Sequence, residues 1–303
     1  MKATAQTLPA PALVEKTRFA VFSDLIKMRL TCLVLLTTLV GYYIGSPGDL
    51  NRWRLLHTML GTALVASGAA ALNQLMERDL DAKMRRTERR PLPSGRMQPN
   101  TVLLIGTACG VVGLIYLGLA VNQLTGLLGA VTLGSYLFIY TPLKRVTTLN
   151  TIIGAIPGAL PPLMGWTAAR NEISAGGWAL FAILFFWQLP HFLAIAWIYR
   201  DEYAKAGFVM LPIVDREGRR TGSQAVSHTL GLLPISLAPF VLHLAGPVYL
   251  AGAVVLGGSY LWYAWSFSRD LSVARARRLF FVSILYLPLL LSVMVMDKIK
   301  HAS

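Results

Sequence analysis

The sequence predicts an all-α protein, a polytopic membrane helix bundle of about nine transmembrane helices whose acid-rich cytoplasmic ends surround a central cavity. Three observations lead there. Hydrophobic residues make up 55% of the 303-residue chain and charged residues only 14%, with a mean hydropathy of +0.56, too apolar for a water-soluble domain. The apolar residues gather into nine stretches, most approaching the roughly 20 residues a helix needs to cross hydrocarbon. The cations fall on alternate connections between those stretches.

The first stretch, 30–45, follows an amino-terminal tail of residues 1–25 that holds Pro9, Pro11, Glu15 and Asp24. That tail lacks a compact apolar run and a small-residue cleavage site, so it reads as a cytoplasmic extension rather than a signal peptide. The second stretch, 55–75, runs into Asn73, Glu77 and Asp81 and then a basic loop. The third and fourth, 101–121 and 124–141, end on Tyr136 and Tyr140, followed by Lys144 and Arg145. The fifth, 149–168, carries Gly154, Pro157, Gly158, Pro161 and Pro162. These predict a bent or broken helix, tolerated at membrane depth where it forms the wall of a pocket. The sixth, 177–199, contains Pro190, which should kink it beside His191, and leads to Asp201 and Glu202. Stretches 227–245, 248–267 and 278–296 complete a single transmembrane domain over 26–298, with a short carboxyl-terminal tail at 299–303.

The formal net charge of +14 raises the question of nucleic acid, but its distribution has another origin. The amino terminus holds 5 Lys or Arg, and the loops after stretches two, four, six and eight hold 7, 2, 5 and 4. The opposite side holds 2, 0, 1, 0 and 2. This 23 to 5 partition is positive-inside asymmetry and places the amino terminus and both acidic loops in the cytoplasm. The longest polar stretch, from Glu77 to Asn100, is too short for an independent core. Cys32 and Cys109 have neither pairing nor metal-type spacing and read as small core hydrophobes. Stretches two and six both end in acids followed by a basic loop. This echo predicts two four-helix halves plus one extra carboxyl-terminal helix, with the acidic ends converging on one cavity.

On a helix, positions i, i+4 and i+8 share a face, so Asn73, Glu77 and Asp81 line up at a membrane boundary. Asp79 lies about 200° around from Glu77, so it either supports the ligands from behind or faces solvent. Clustered oxygen donors suit Mg²⁺, which binds through one or two carboxylates plus substrate phosphates. Arg86 and Arg90, four apart, have the planar forks that grip a diphosphate bidentately. Lys144 and Arg145 either reach the same diphosphate or enforce topology. From spacing alone, a solvated acid patch and a lipid-anchoring basic loop remain open alternatives.

The run Asn73, Glu77, Asp81, Arg86, Thr87, Arg90, Pro91 and Leu92 resembles the first motif of the UbiA-type intramembrane prenyltransferases. The likeness continues through Tyr140, Thr141, Leu143, Lys144 and Arg145, then Asn150, Gly154, Gly158, Ala159, Pro161, Pro162, Gly165 and Trp166. It returns at Trp187, Gln188, Pro190, His191, Phe192 and Ala194, and at Tyr203, Ala206, Gly207, Phe208, Met210, Leu211 and Pro212. Two positions depart from the broad superfamily. Glu77 stands where an aspartate is usual, and Lys205 stands four after Asp201 where a second aspartate is usual. The heme-farnesylating branch is similar in having acids directly before a tyrosine.

That resemblance implies transfer of the farnesyl group of farnesyl diphosphate to a vinyl group of heme b, dependent on Mg²⁺, in a bacterial cytoplasmic (inner) membrane. It implies catalytic roles for Asn73, Glu77, Asp81, Arg86, Arg90, Lys144 and Arg145, and metal ligands among Asn73, Glu77, Asp81, Asp201 and Glu202, the last two competing for one position. It implies substrate contacts from Tyr136, Tyr140, Tyr203, Lys205 and His191. Its partners are heme b, farnesyl diphosphate and membrane lipid, with a heme A synthase or a heme–copper oxidase assembly pathway downstream and no nucleic acid. His191, ten residues and so about 15 Å deeper than Asp201 on one helix, is either an iron ligand or a hydrogen-bonding strut between helices. His57, His228, His243 and His301 read as structural or exposed. Tyr136, Phe138, Tyr140, Trp166, Phe185, Phe186, Trp187 and Phe192 are candidate faces for an allylic cation, though each alone also suits packing or lipid. Two other functions share parts of this pattern. A prenyltransferase acting on a quinone precursor needs no iron ligand, and a transporter of anionic metabolites should bury its charges deeper in the bundle.

Overall fold

A computed structural model describes residues 17–299. Most of the tail expected over 1–25, and residues 300–303 with His301, lie outside them. Among the described residues, nine helices are long and apolar enough to cross a membrane: α1 (Met28–Gly45), α2 (Arg52–Met76), α3 (Pro99–Ala120), α4 (Gln123–Leu143), α5 (Asn150–Arg170), α6 (Ala175–Ile198), α7 (Arg219–Val241), α8 (Pro247–Arg269) and α9 (Val273–Met296). The same residues include no strand, only one isolated bridge between Ala245 and Lys298. The chain is an all-α, multi-pass membrane protein.

Local chemistry sets several helix starts. Asn51, Asn122 and Ser272 cap α2, α4 and α9 by accepting from Arg54 N, Thr125 N and Arg275 N, satisfying donors that the first turn leaves free. Pro99 and Pro247 open α3 and α8, where a missing N–H removes no helical bond.

Packing divides the bundle five and four rather than four, four and one. Helices α1 to α5 close a ring in which each packs on the next and α5 returns to α1, while α6 to α9 close a second ring in the same way. α5 and α6 join the two and are the most enclosed, 72% and 61% buried where the other spans reach at most 44%. A side chain on Gly41 or Gly165 would collide with the Pro162 or Thr38 carbonyl, so α1 and α5 meet backbone to backbone. This enclosure accounts for the absence of a break, one of the two outcomes the sequence predicts for this helix. α5 remains α-helical throughout, with Pro157, Pro161 and Pro162 inside it, because packing on α1, α2, α4 and α6 outweighs a local penalty of about 3 kcal/mol per interior proline. α6 also stays helical through Pro190, which is compatible with the expected kink. Cys109 is half-buried, but Cys32 is exposed on α1 and is no core residue.

α4 carries a feature the sequence did not announce, a π-helical turn over Ser135–Tyr140. Thr141 Oγ1 donates to the Tyr136 carbonyl at 2.8 Å across it. A π-turn admits one extra residue and rotates the remainder of the helix relative to a plain α-helix. Tyr140 and Lys144 are the side chains it re-aims.

Candidate functional site

At the end of the bundle where α2 and α4 finish, a cavity of about 80 Å³ is lined by Lys27, Asn73, Glu77, Asp81, Met84, Arg86, Arg90, Tyr140, Lys144, Tyr203, Phe208 and Met210. Its lining of cations, carboxylates and an amide suits a small charged group. The acid row survives a break in its helix. α2 ends at Met76, Glu77 caps it, and a short helix Arg78–Asp81 comes next. Backbone bonds from Glu77 N to Asn73 O (3.0 Å) and Asp81 N to Glu77 O (2.8 Å) preserve the four-residue register across the cap. All three side chains are buried, at 0%, 5% and 1% exposure, so they share the inner face. Asp79 faces solvent beside Arg78.

Each member of the row meets a cation. Lys27 Nζ donates to Asn73 Oδ1 at 2.7 Å, Lys144 Nζ to Glu77 Oε1 at 2.7 Å, and Arg90 Nη1 to Asp81 Oδ2 at 2.6 Å. Asn73 Nδ2 donates to Thr141 Oγ1 at 3.2 Å, tying the row to the end of α4. Burial pushes the Asp81 carboxyl up, against the pull of Arg90. Burial, with Arg90 and Lys144 nearby, pushes the Lys27 ammonium down to about 7. Burial also works against charge on Lys144, but Tyr140 and the Glu77 carboxylate outweigh it and raise that group. Lys144 lies 4.6 Å from the Tyr140 ring centroid, a cation–π distance.

The second acidic end converges on the first through Arg86. Its backbone N donates to Glu202 Oε2 at 3.3 Å, its guanidinium to the Tyr203 hydroxyl at 3.0 Å, and it stands over the Tyr199 and Tyr203 rings. The carboxylates of this end stay outside the cavity lining. Asp201 is 91% exposed beside Arg200. It also belongs to a separate short helix, Arg200–Ala206, begun after Tyr199 caps α6, so His191 and Asp201 do not share one helix. Among the described residues no three acids, histidines or cysteines are grouped to hold an ion by themselves.

Of the residues singled out from sequence, Asn73, Glu77, Asp81, Arg86, Arg90, Lys144, Tyr140 and Tyr203 are brought together here. Arg145 and Lys205 are exposed and stand apart from the lining, as do Asp201, Glu202 and His191. Tyr136 sits behind Tyr140, ring centroids 5.6 Å apart. Of the aromatic candidates only Tyr140 reaches the cavity, and Phe138 is 74% exposed. α5 backs the pocket without lining it. Gly154 seats the Tyr140 ring, and Asn150 Nδ2 donates to the Val209 carbonyl at 2.7 Å, fixing the segment that carries Phe208 and Met210. Lys27 is a site residue that sequence reasoning misses. It precedes α1 in the left-handed conformation, φ 49°, and an isolated cation before the first span reads as topology.

Residues 34–285 match the UbiA prenyltransferase family. The chain is similar to the protoheme IX farnesyltransferase of Solibacter usitatus (strain Ellin6076), 47% identical over 290 residues that cover 91% of this chain and 98% of the relative. Among solved structures, a digeranylgeranylglyceryl phosphate synthase superposes with a TM-score of 0.79 at 16% identity, covering 93% of this chain and 99% of the other. A UbiA homologue from Archaeoglobus fulgidus, bound to GPP and Mg²⁺, superposes with a TM-score of 0.62 at 16% identity, over 90% and 99% of the two chains.

Proposed function

Because the chain belongs to the UbiA prenyltransferase family, we propose that it transfers the farnesyl group of farnesyl diphosphate to a vinyl group of heme b, giving heme O. The observation that carries this reading is one cavity in which two buried carboxylates and an amide face four cations. A transporter's charges belong near the midplane, whereas these sit at a helix end. The acceptor comes from the likeness to the Solibacter enzyme.

Asn73, Glu77 and Asp81 offer only hard oxygen donors toward the cavity, and two carboxylates completed by substrate phosphates are a fitting set for Mg²⁺. When bound, the metal supplies positive charge to the diphosphate oxygens. Glu202, tied to Arg86 N, is closer to joining this set than the exposed Asp201. Lys27, Arg86, Arg90 and Lys144 bind the remaining oxygens. As the allylic C–O bond breaks, its electron pair leaves with diphosphate, and these fixed cations stabilise the growing charge. Tyr140, Tyr203 and Phe208 line the cavity, where their rings would face the farnesyl carbon and keep water from it. The vinyl π electrons then form the new C–C bond, and water adds to the resulting carbocation and loses a proton, leaving a hydroxyethylfarnesyl group. The 23 to 5 cation partition supports an amino terminus and cavity facing the cytoplasm of a bacterial inner membrane, with a heme A synthase or an oxidase assembly pathway consuming the product.

The test is acceptor choice. Purified protein receives farnesyl diphosphate, Mg²⁺ and either heme b or an aromatic quinone precursor, and products are resolved by chromatography and mass. A farnesylated heme is expected; prenylation of the quinone precursor alone overturns the acceptor while leaving prenyl transfer intact.

A further inference from the structure

One histidine inside the bundle has its two ring nitrogens in different surroundings. The His191 ring lies between Trp187, one turn earlier on α6, and Phe280 of α9, with centroids 5.3 and 5.0 Å away and planes within 28° of stacking. Its Nδ1 is 2.7 Å from Ser283 Oγ. The Ser283 hydroxyl has one proton and donates it to the Phe280 carbonyl at 2.6 Å, an atom that only accepts. With the proton so placed, Oγ presents a lone pair to Nδ1, which assigns the ring proton to Nδ1.

Nε2 is then left with its lone pair. Among the described residues it has no hydrogen-bond partner, and it is not one of the fully buried polar atoms that lack one. The buried side-chain polar atoms without partners are Thr62 Oγ1, Gln74 Oε1 and Arg96 Nη1. Ser283 itself is held firmly. It is fully buried, its carbonyl accepts from Trp187 Nε1 at 2.7 Å, and the Tyr260 hydroxyl of α8 donates to the Trp187 carbonyl at 3.0 Å. Three helices thus fix the ring's tautomer and plane. A strut between helices needs only one of the two nitrogens bonded; a metal-ligating histidine needs one nitrogen anchored as a donor and the other free.

We propose that Ser283 is a positioning residue that holds His191 in the Nδ1–H tautomer, so that Nε2 ligates the iron of the heme acceptor. This rests on the reading that heme b is the substrate. No electron or group transfer is involved: an Fe–N bond forms with the neutral imidazole and the proton stays on Nδ1.

The experiment uses the full chain in detergent with added iron protoporphyrin, reduced and read by resonance Raman and visible spectroscopy. The wild type should show an Fe–N(His) stretch that shifts in D₂O, because Nδ1 carries an exchangeable proton. His191→Ala should lose the band. Ser283→Ala should move it and weaken heme binding about 10-fold, the low end for loss of a ligand's outer hydrogen bond, while Ser283→Thr restores both. If wild type and His191→Ala give identical heme spectra, His191 is no ligand and the proposal falls. If His191→Ala loses the band but Ser283→Ala keeps wild-type affinity and frequency, ligation stands and the role of Ser283 is overturned. Should Ser283→Ala not fold, the D₂O measurement on wild type decides, and absence of a shift contradicts the assigned tautomer. A wild type that binds no heme rejects the acceptor reading itself.

Discussion

Glu77→Gln separates the two things this carboxylate is asked to do, balancing a buried lysine and holding a metal. Glu77 is 5% exposed, and its Oε1 lies 2.7 Å from Lys144 Nζ. At an effective dielectric of about 20, that separation corresponds to an attraction of about 6 kcal/mol, offset by the desolvation of both groups. Removing one partner of such a pair costs about 3–5 kcal/mol, because a charge is left buried. Lys144 keeps its contact with the Tyr140 ring at 4.6 Å in both proteins, so that contact cancels in the difference. The expected loss of stability is therefore about 3–5 kcal/mol. The double variant Glu77→Gln with Lys144→Met removes both charges, so most of that loss should reappear as a coupling energy of about 2–3 kcal/mol. Thermal unfolding of the four proteins in detergent, followed by tryptophan fluorescence, measures the cycle, and farnesyl transfer is assayed alongside. The double variant should regain stability but not activity. A coupling below about 0.5 kcal/mol would show a solvated pair, and recovery of activity would remove Glu77 from the metal site.

Two further outcomes bear on topology and on Lys27. In a chain with Cys32 and Cys109 replaced, single cysteines at Ser94 and Arg219 should both react with an impermeant thiol reagent from the cytoplasmic face only, and labelling from opposite faces would overturn the cation-based orientation. Lys27 is pushed down to about 7 in the folded protein against about 10.4 unfolded. Between those values the unfolded chain binds the extra proton, so stability should rise with pH across that window. Lys27→Met should flatten the rise in melts taken at intervals of about one pH unit across it; an unchanged slope contradicts the burial of this ammonium.

The nine spans are legible because hydrocarbon length and apolar runs are read from composition alone. The largest boundary error shows the limit of that signal. Hydropathy starts the seventh span at residue 227, whereas α7 begins at Arg219, since its first turns, with Arg219, Arg220 and Gln224, are polar while already helical. The acid row is legible because periodicity fixes a face, and it holds even where Glu77 caps one helix and another begins. Lys144 and Arg145 show what adjacent residues do not reveal. Only one points into the cavity, and the choice depends on a π-turn that no propensity in SYLFIY signals. Lys27 is hidden for a related reason, since its aim depends on a left-handed residue before α1. The second acidic cluster is legible as a neighbour of the first, through Arg86, but not as a set of ligands. The ordered fifth helix is obscured because proline penalties are local and the packing that overrides them is not.

The central claim is that Asn73, Glu77 and Asp81 hold a metal on the diphosphate of a prenyl donor. It is tested most directly by binding Mn²⁺ in place of Mg²⁺ together with a farnesyl thiodiphosphate and recording electron–nuclear double resonance at phosphorus. Phosphorus coupling to Mn²⁺ is expected in the wild type and its loss in Asp81→Asn, whose carboxylate is 1% exposed in the row. Coupling of wild-type strength in a folded Asp81→Asn, or none in the wild type with both ligands bound, would contradict it.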